Sequence, residues 1–253
     1  MPASPWPFLD HPGPLAFAHQ GGGGDHPENT MAAFEHAVSL GFRYLETDVH
    51  TTADGFVVAF HDDSLDRMTD LIGTIAELPW ATVRRARIAG GHSIPLLEDV
   101  LGTWPQVRVN IDPKHDQAIP PLVAAVRRTA SVRRVCVGAF SDRRLTRVRR
   151  LLGPELCTSL GPFGVARLKA AALGLPVGRL PGACVQVPVV TRGLTVTDAG
   201  LVRAAHRRGM QVHVWTIDDP AEMERLLDLG VDGIMTDRPS VLKQVLEQRG
   251  AWA

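Results

Sequence analysis

Cysteine is scarce in this 253-residue chain: Cys136, Cys157 and Cys184 stand far apart and none forms a CxxC pair. Far-apart positions without CxxC spacing argue against both a disulfide framework and a zinc site and suggest small buried residues in a reducing compartment. Neither charge sign is in excess, with 27 Lys plus Arg against 27 Asp plus Glu. No chain-wide field therefore draws the protein to nucleic acid or to an anionic membrane. Tyrosine is almost missing, with Tyr44 alone, and this disfavours nucleic-acid binding further. No stretch reaches the roughly 18 apolar residues of a membrane span. The opening MPASPWPFLDHPGPLAF has neither the basic region nor the uninterrupted apolar region of a secretory signal. A soluble, cytoplasmic protein without stable membrane insertion is the expectation.

What is present is an alternation. Hydrophobic residues make up 45% of the chain, enough for a large core. Short apolar or β-branched runs at 15–19, 44–49, 107–112, 134–139, 156–159, 183–187, 211–216 and 233–236 read as strands. Helical stretches are expected near 30–40, 118–129, 142–151, 165–173, 197–208, 220–229 and 239–248. Asn29, Asp219 and Asp237 stand where N-caps belong. About eight strands with interleaved helices in this length predict an α/β fold, a single (β/α)8 TIM-type barrel, rather than an open doubly wound sheet. Residues 1–253 read as one domain, since no repeat, linker or composition shift divides them. Residues 50–100 break the rhythm and are read as an insertion after the second strand. The arginine-rich stretches, including 143–150, are read as solvated helix faces.

In such a barrel the reactive groups sit where strands end at the C-terminal mouth. The first strand ends at His19. Glu46 and Asp48, two apart in LETDV, point to one face of the second strand. Paired carboxylates repel in a low dielectric, and a hard cation relieves that unless an arginine or a proton does. The third strand ends VNIDPK, adding Asp112 and Lys114. Glu46, Asp48 and Asp112 together form an oxygen-only donor set suited to Mg²⁺ or Ca²⁺ rather than zinc; the alternative is that each pairs with arginine or caps a helix. His61 follows the apolar run FVVAF and is either a structural residue or, with His19, half of an acid and base pair. Four glycines in GGGGDHPENT could cradle a phosphate or form a plain loop. Trp215 either walls the pocket or fills the core.

In order along the chain, these residues resemble the glycerophosphodiester phosphodiesterase family. The matching stretches are AHQGG, PENTMAAFEHAVSLGFRYLETDVHTTADGFVVAFHDDSLDRMTD, NIDPK and VHVWTIDDPAEMERLLDLGVDGIMTDRPSVL; residues 127–185 match only at the level of fold. The resemblance implies a barrel enzyme that uses a divalent cation to cleave a small glycerophosphodiester into glycerol 3-phosphate and an alcohol. It implies His19 and His61 as general acid and base and Glu46, Asp48 and Asp112 as metal ligands. It also implies Lys114 as cationic partner of the phosphoryl oxygens and Trp215 as the aromatic beside the glycerol. Two positions depart from the family pattern. Gln20 stands where an arginine is usual, leaving Arg192 as one candidate to compensate, and Asp112 stands where a glutamate is usual.

Two other readings remain. A lysophospholipase D would take a lipid-bearing diester, and an apolar groove built on Leu71, Ile72, Ile75, Leu78 and Trp80 of the insertion would mark it; packing of that segment on the barrel would not. A binding protein on a degenerate barrel is the other, and the retained histidines and carboxylates speak against it.

Overall fold

The computed structural model describes residues 6–252; the first five residues of the stretch read above for a leader lie outside them. The parallel strands are β1 (Leu15–Ala18), β2 (Tyr44–Thr51), β3 (Arg108–Pro113), β4 (Val135–Val137), β5 (Cys157–Thr158), β6 (Cys184–Pro188), β7 (Gln211–Trp215) and β8 (Gly233–Thr236). Their hydrogen-bonded order is β5-β4-β3-β2-β1-β8-β7-β6. The ring comes together between β5 and β6 through one bridge, Ser159 to Cys184, with Ala183 N donating to Thr158 O at 2.8 Å and Leu160 N to Cys184 O at 2.9 Å. This is the expected TIM-type barrel. All eight residues of β2 are buried, as a parallel strand covered on both faces requires.

The crossover helices are α1 (Met31–Ser39), α2 (Leu97–Thr103), α3 (Ile119–Arg128), α4 (Asp142–Leu152), α5 (Pro162–Ala172), α6 (Ala199–His206), α7 (Pro220–Leu229) and α8 (Pro239–Gln248). Asp219 caps α7 as expected, accepting from Glu222 N at 3.0 Å. At α1 the cap is Thr30, which accepts from Ala33 N at 3.1 Å; Asn29 instead accepts a bond from the Thr47 hydroxyl at 2.7 Å. Asp237 is not the cap of α8 either, because its carboxylate is turned to His19.

α2 begins at the end of the segment 50–100, which the sequence left without a helix, and runs past it. Its buried Leu97, Val100 and Leu101 are spaced for one face, but the helix has only seven residues and no side-chain cap. Between β2 and α2 the chain adds Val57–Ala59 antiparallel to the end of β2, with Val49 opposite Ala59. The rest of the insertion folds over its own cluster of Val58, Phe60, Leu65, Ile75, Val83, Ala86, Ile88 and Ile94.

The lower part of the barrel is filled by Phe8, Leu9, Leu15, Phe17, Tyr44, the three cysteines and Met235. Pro7–Leu9 forms a short 3-10 turn against this floor, and the Tyr44 hydroxyl donates to Phe8 O at 2.9 Å. The cysteines are buried and unlinked, as expected, but they are neighbours here despite their distance in sequence. The arginine-rich α4 is not wholly a solvated face. Arg149 crosses to β5, donating to Thr158 Oγ1 at 2.7 Å and to Ser159 O at 2.8 Å, and Arg144 donates to Pro113 O at 2.5 Å.

Candidate active site

The strand ends of β1, β2 and β3 bring six of the eight sequence-predicted residues into one network. Register does much of this, since Asp48 and Asp112 are Cα partners across the parallel β2–β3 pair. Lys114 then reaches back, its Nζ 2.5 Å from Asp48 Oδ1 and 3.6 Å from Asp112 Oδ2. Gln20 adopts a left-handed backbone conformation (φ 53°) that folds it over the carboxylates. Its backbone N donates to Glu46 Oε2 at 3.2 Å and its Nε2 to Asp48 Oδ2 at 2.8 Å. The neutral amide thus spans the two acids of β2 without neutralising either.

His19 closes the network on the other side. Nδ1 lies 2.7 Å from Asp237 Oδ1, and Nε2 lies 3.7 Å from Glu46 Oε2. Burial opposes charge on this ring, but Glu46, Asp237 and Asp48 outweigh it and raise its pKa to about 9. Burial, reinforced by Asp48, pushes the Glu46 carboxyl well above the usual range. Burial also raises Asp112 to about 6, against the pull of Lys114. The two acids lack the countercharge that would keep them comfortably ionised.

These residues fit a hard divalent cation. The donors are oxygens, and Asp112 Oδ1 is buried with no hydrogen-bond partner. Lys114 and Gln20 take up both oxygens of Asp48. Among the described residues only the three cysteines present three ligand atoms mutually within 4.8 Å, so the carboxylates stand spread around the Lys114 ammonium.

His61 and Trp215 are not joined to this network by a direct bond. His61 follows Val57–Ala59 on the insertion and is exposed; of the apolar run before it, 57–60 are buried as expected and Phe56 is exposed. Its Nδ1 is 2.7 Å from Asp62 Oδ1. It therefore stands in the same Asp–His arrangement as His19. Trp215, at the end of β7, is half-buried; it packs on the core cluster of Phe17, Tyr44 and Met235 and meets the exposed ring of Phe140 edge-on, with centroids 5.7 Å apart. Arg192 is exposed in the turn of the hairpin Val190–Thr191 and Leu194–Thr195.

Sequence reasoning missed the residues that support the two histidines. Asp237 orients His19, and its own backbone N donates to Asp218 Oδ1 at 2.8 Å. Arg67 holds Asp62, with Nε 2.5 Å from Oδ2, and also reaches Glu28 Oε1 at 2.6 Å in the glycine-rich loop. His50 Nε2 lies 3.0 Å from the His61 carbonyl, and burial lowers its pKa, keeping it a neutral donor. The family-like stretches contained all of them, but only contact shows which histidine each serves.

The model of the glycerophosphoryl diester phosphodiesterase family matches residues 19–241. The chain is 43% identical to "Probable glycerophosphodiester phosphodiesterase 2" of Mycobacterium tuberculosis, over 97% of this chain and 95% of that one. It is 30% identical to a lysophospholipase D of Rattus norvegicus, over 92% and 86% of the two chains. Its fold is similar to that of a glycerophosphodiester phosphodiesterase from Agrobacterium tumefaciens, with a TM-score of 0.78 and 25% identity over 92% of this chain and 99% of the other.

Proposed function

From the membership of this chain in the glycerophosphoryl diester phosphodiesterase family, we infer that it hydrolyses glycerophosphodiesters to glycerol 3-phosphate and an alcohol, with a divalent cation and two histidines. The observation that carries the reading is the pair of Asp–His contacts, Asp237–His19 and Asp62–His61, each 2.7 Å long, on loops that open from the barrel mouth. In each pair the aspartate takes the Nδ1 side and leaves Nε2 to serve the substrate. One histidine removes the proton of the attacking oxygen, which is water or the substrate's own glycerol hydroxyl. The other delivers a proton to the departing alkoxide.

Glu46, Asp48 and Asp112 would hold Mg²⁺ or Ca²⁺, and the ion when bound supplies charge stabilisation to the phosphoryl oxygens. Lys114 adds a second positive charge beside the same oxygens, where negative charge grows during cleavage. Gln20 can give the phosphate a hydrogen bond but no charge. Trp215 with Phe140 offers an aromatic wall for the glycerol carbons. No described helix is long and apolar enough to cross a membrane. The three free cysteines fit a reducing, cytoplasmic setting.

A second reading has one observation in its favour. Phe140, Phe163, Val190 and Leu194 are all exposed, on the segments that follow β4, β5 and β6 at the mouth. Such a rim would suit the acyl chain of a lysophospholipid. The insertion contributes little to it, since Ile75 is buried and Leu71, Leu78 and Trp80 pack on the insertion's own cluster, leaving Ile72 exposed.

The test is glycerol 3-phosphate release by chelator-stripped protein resupplied with Mg²⁺, Ca²⁺ or Mn²⁺, from glycerophosphocholine and glycerophosphoethanolamine with a lysophospholipid in parallel. Cation-restored release from the small diesters is expected. Activity confined to the lysolipid would establish the second reading, and silence on every substrate would leave a binding role.

A further inference from the structure

Cys136 on β4, Cys157 on β5 and Cys184 on β6 meet inside the barrel. Cys136 and Cys157 are Cα partners across their strand pair, and Cys184 forms the bridge to Ser159. All three are buried and unlinked. Their sulfurs lie within 4.8 Å of one another, with Cys136 Sγ and Cys184 Sγ 3.9 Å apart. Three sulfurs held about 2.3 Å from one ion stand about 4.0 Å apart in a trigonal arrangement and about 3.8 Å apart in a tetrahedral one. Ligation therefore asks for side-chain adjustment and no rearrangement of strands.

The surroundings select the kind of ion. The cysteines sit among Phe8, Leu15, Phe17, Tyr44, Ala183 and Met235, with the His213 imidazole against Cys184 and the Arg149 guanidinium nearby, a setting that offers no competing carboxylate. Soft thiolates favour Cu(I) and Zn(II), whereas Mg²⁺ and Ca²⁺ require oxygen donors. One chain thus carries two donor sets of different softness, which Cu(I) separates most sharply because Zn(II) also accepts carboxylate and imidazole donors. A surface cavity of about 340 Å³, lined by Leu180, Pro181, Gly182 and Met210 together with Arg179 and Arg208, opens two residues before Cys184.

We propose that Cys136, Cys157 and Cys184 form a three-thiolate site for a single thiophilic ion, Cu(I) or Zn(II), separate from the oxygen site at the mouth. On binding, the thiols give their protons to solvent, three metal–sulfur bonds form and no electron is transferred.

The test uses the full-length reduced protein under anaerobic conditions, titrated with Cu(I) or with Zn(II) against a competing chelator. One ion is expected to stay bound through gel filtration. X-ray absorption should then show three sulfur neighbours, and the melting temperature should rise because the folded state holds the ion and the unfolded chain does not. Cys157→Ala and Cys136→Ser should each weaken retention about tenfold or more, as loss of one ligand of three requires. The melting measurement needs no variant, so a variant that fails to fold does not shelter the idea. Equal retention by a protein with all three cysteines replaced, an absorption spectrum of oxygen and nitrogen neighbours without the three sulfurs, or a melting temperature lowered by the ion would each overturn it.

Discussion

His19 keeps its two ring nitrogens for two purposes, with Nδ1 against Asp237 and Nε2 facing Glu46 and the cleft. The nearby carboxylates favour the charged ring, so removing one charge must lower its pKa. Asp237→Asn should bring the metal-free value of about 9 downward, read by NMR titration of the imidazole. The stability effect has a defined sign: a histidine raised on folding contributes fully below its unfolded value of about 6.5 and ceases to contribute as pH rises through the folded value. The variant's loss of stability should accordingly be larger at pH 6 than at pH 10. Turnover should fall about 10- to 100-fold, as for loss of an orienting partner. An unchanged His19 titration would remove Asp237 from this role. At the same scale Gln20 was legible as a change of charge, but its place between Glu46 and Asp48 depends on a left-handed backbone that no motif announces.

The glycine-rich loop after β1 and the insertion after β2 are distant in sequence and are held together by Arg67, which pairs with Glu28 on one and Asp62 on the other. The Arg67 hydrogen bonds hold Asp62 down to about 2, so this link persists above the ordinary carboxylate range and is lost as pH falls from about 4 toward 2. Arg67 is half exposed, and its removal should cost stability only about 1 kcal/mol or less. Arg67→Ala should instead lower kcat through misplacement of His61, with the melting temperature barely moved; the reverse pattern would make Arg67 a structural brace. All eight barrel strands were readable as elements, because each is a short apolar run between turn residues. α2 was not, since seven residues without a cap give too little periodicity. The partners of Asp62 and Asp237 were hidden for another reason: a carboxylate next to a histidine or a helix start looks the same whether it caps, pairs or orients.

Over the whole molecule, closure of the ring explains what spacing could not. Cys136, Cys157 and Cys184 are 48 residues apart at the extremes and become neighbours only because β4, β5 and β6 lie side by side. Arg149 likewise belongs to a helix face in sequence and to β5 in space. The same closure is uneven. β2 and β3 are paired over six residues, whereas β5 and β6 share one bridge. A ring with one lightly stitched seam breathes there first, because local opening starts where the fewest hydrogen bonds must break. In deuterium exchange the amides of Leu160 and Ala183 should therefore lose protection ahead of those of β2, and Arg149→Ala should hasten them further by removing the clasp on β5. Equal protection around the ring would mean that the barrel opens as one unit. If the seam does open first, the route by which the barrel unravels and the route by which small solutes reach its interior are the same gap.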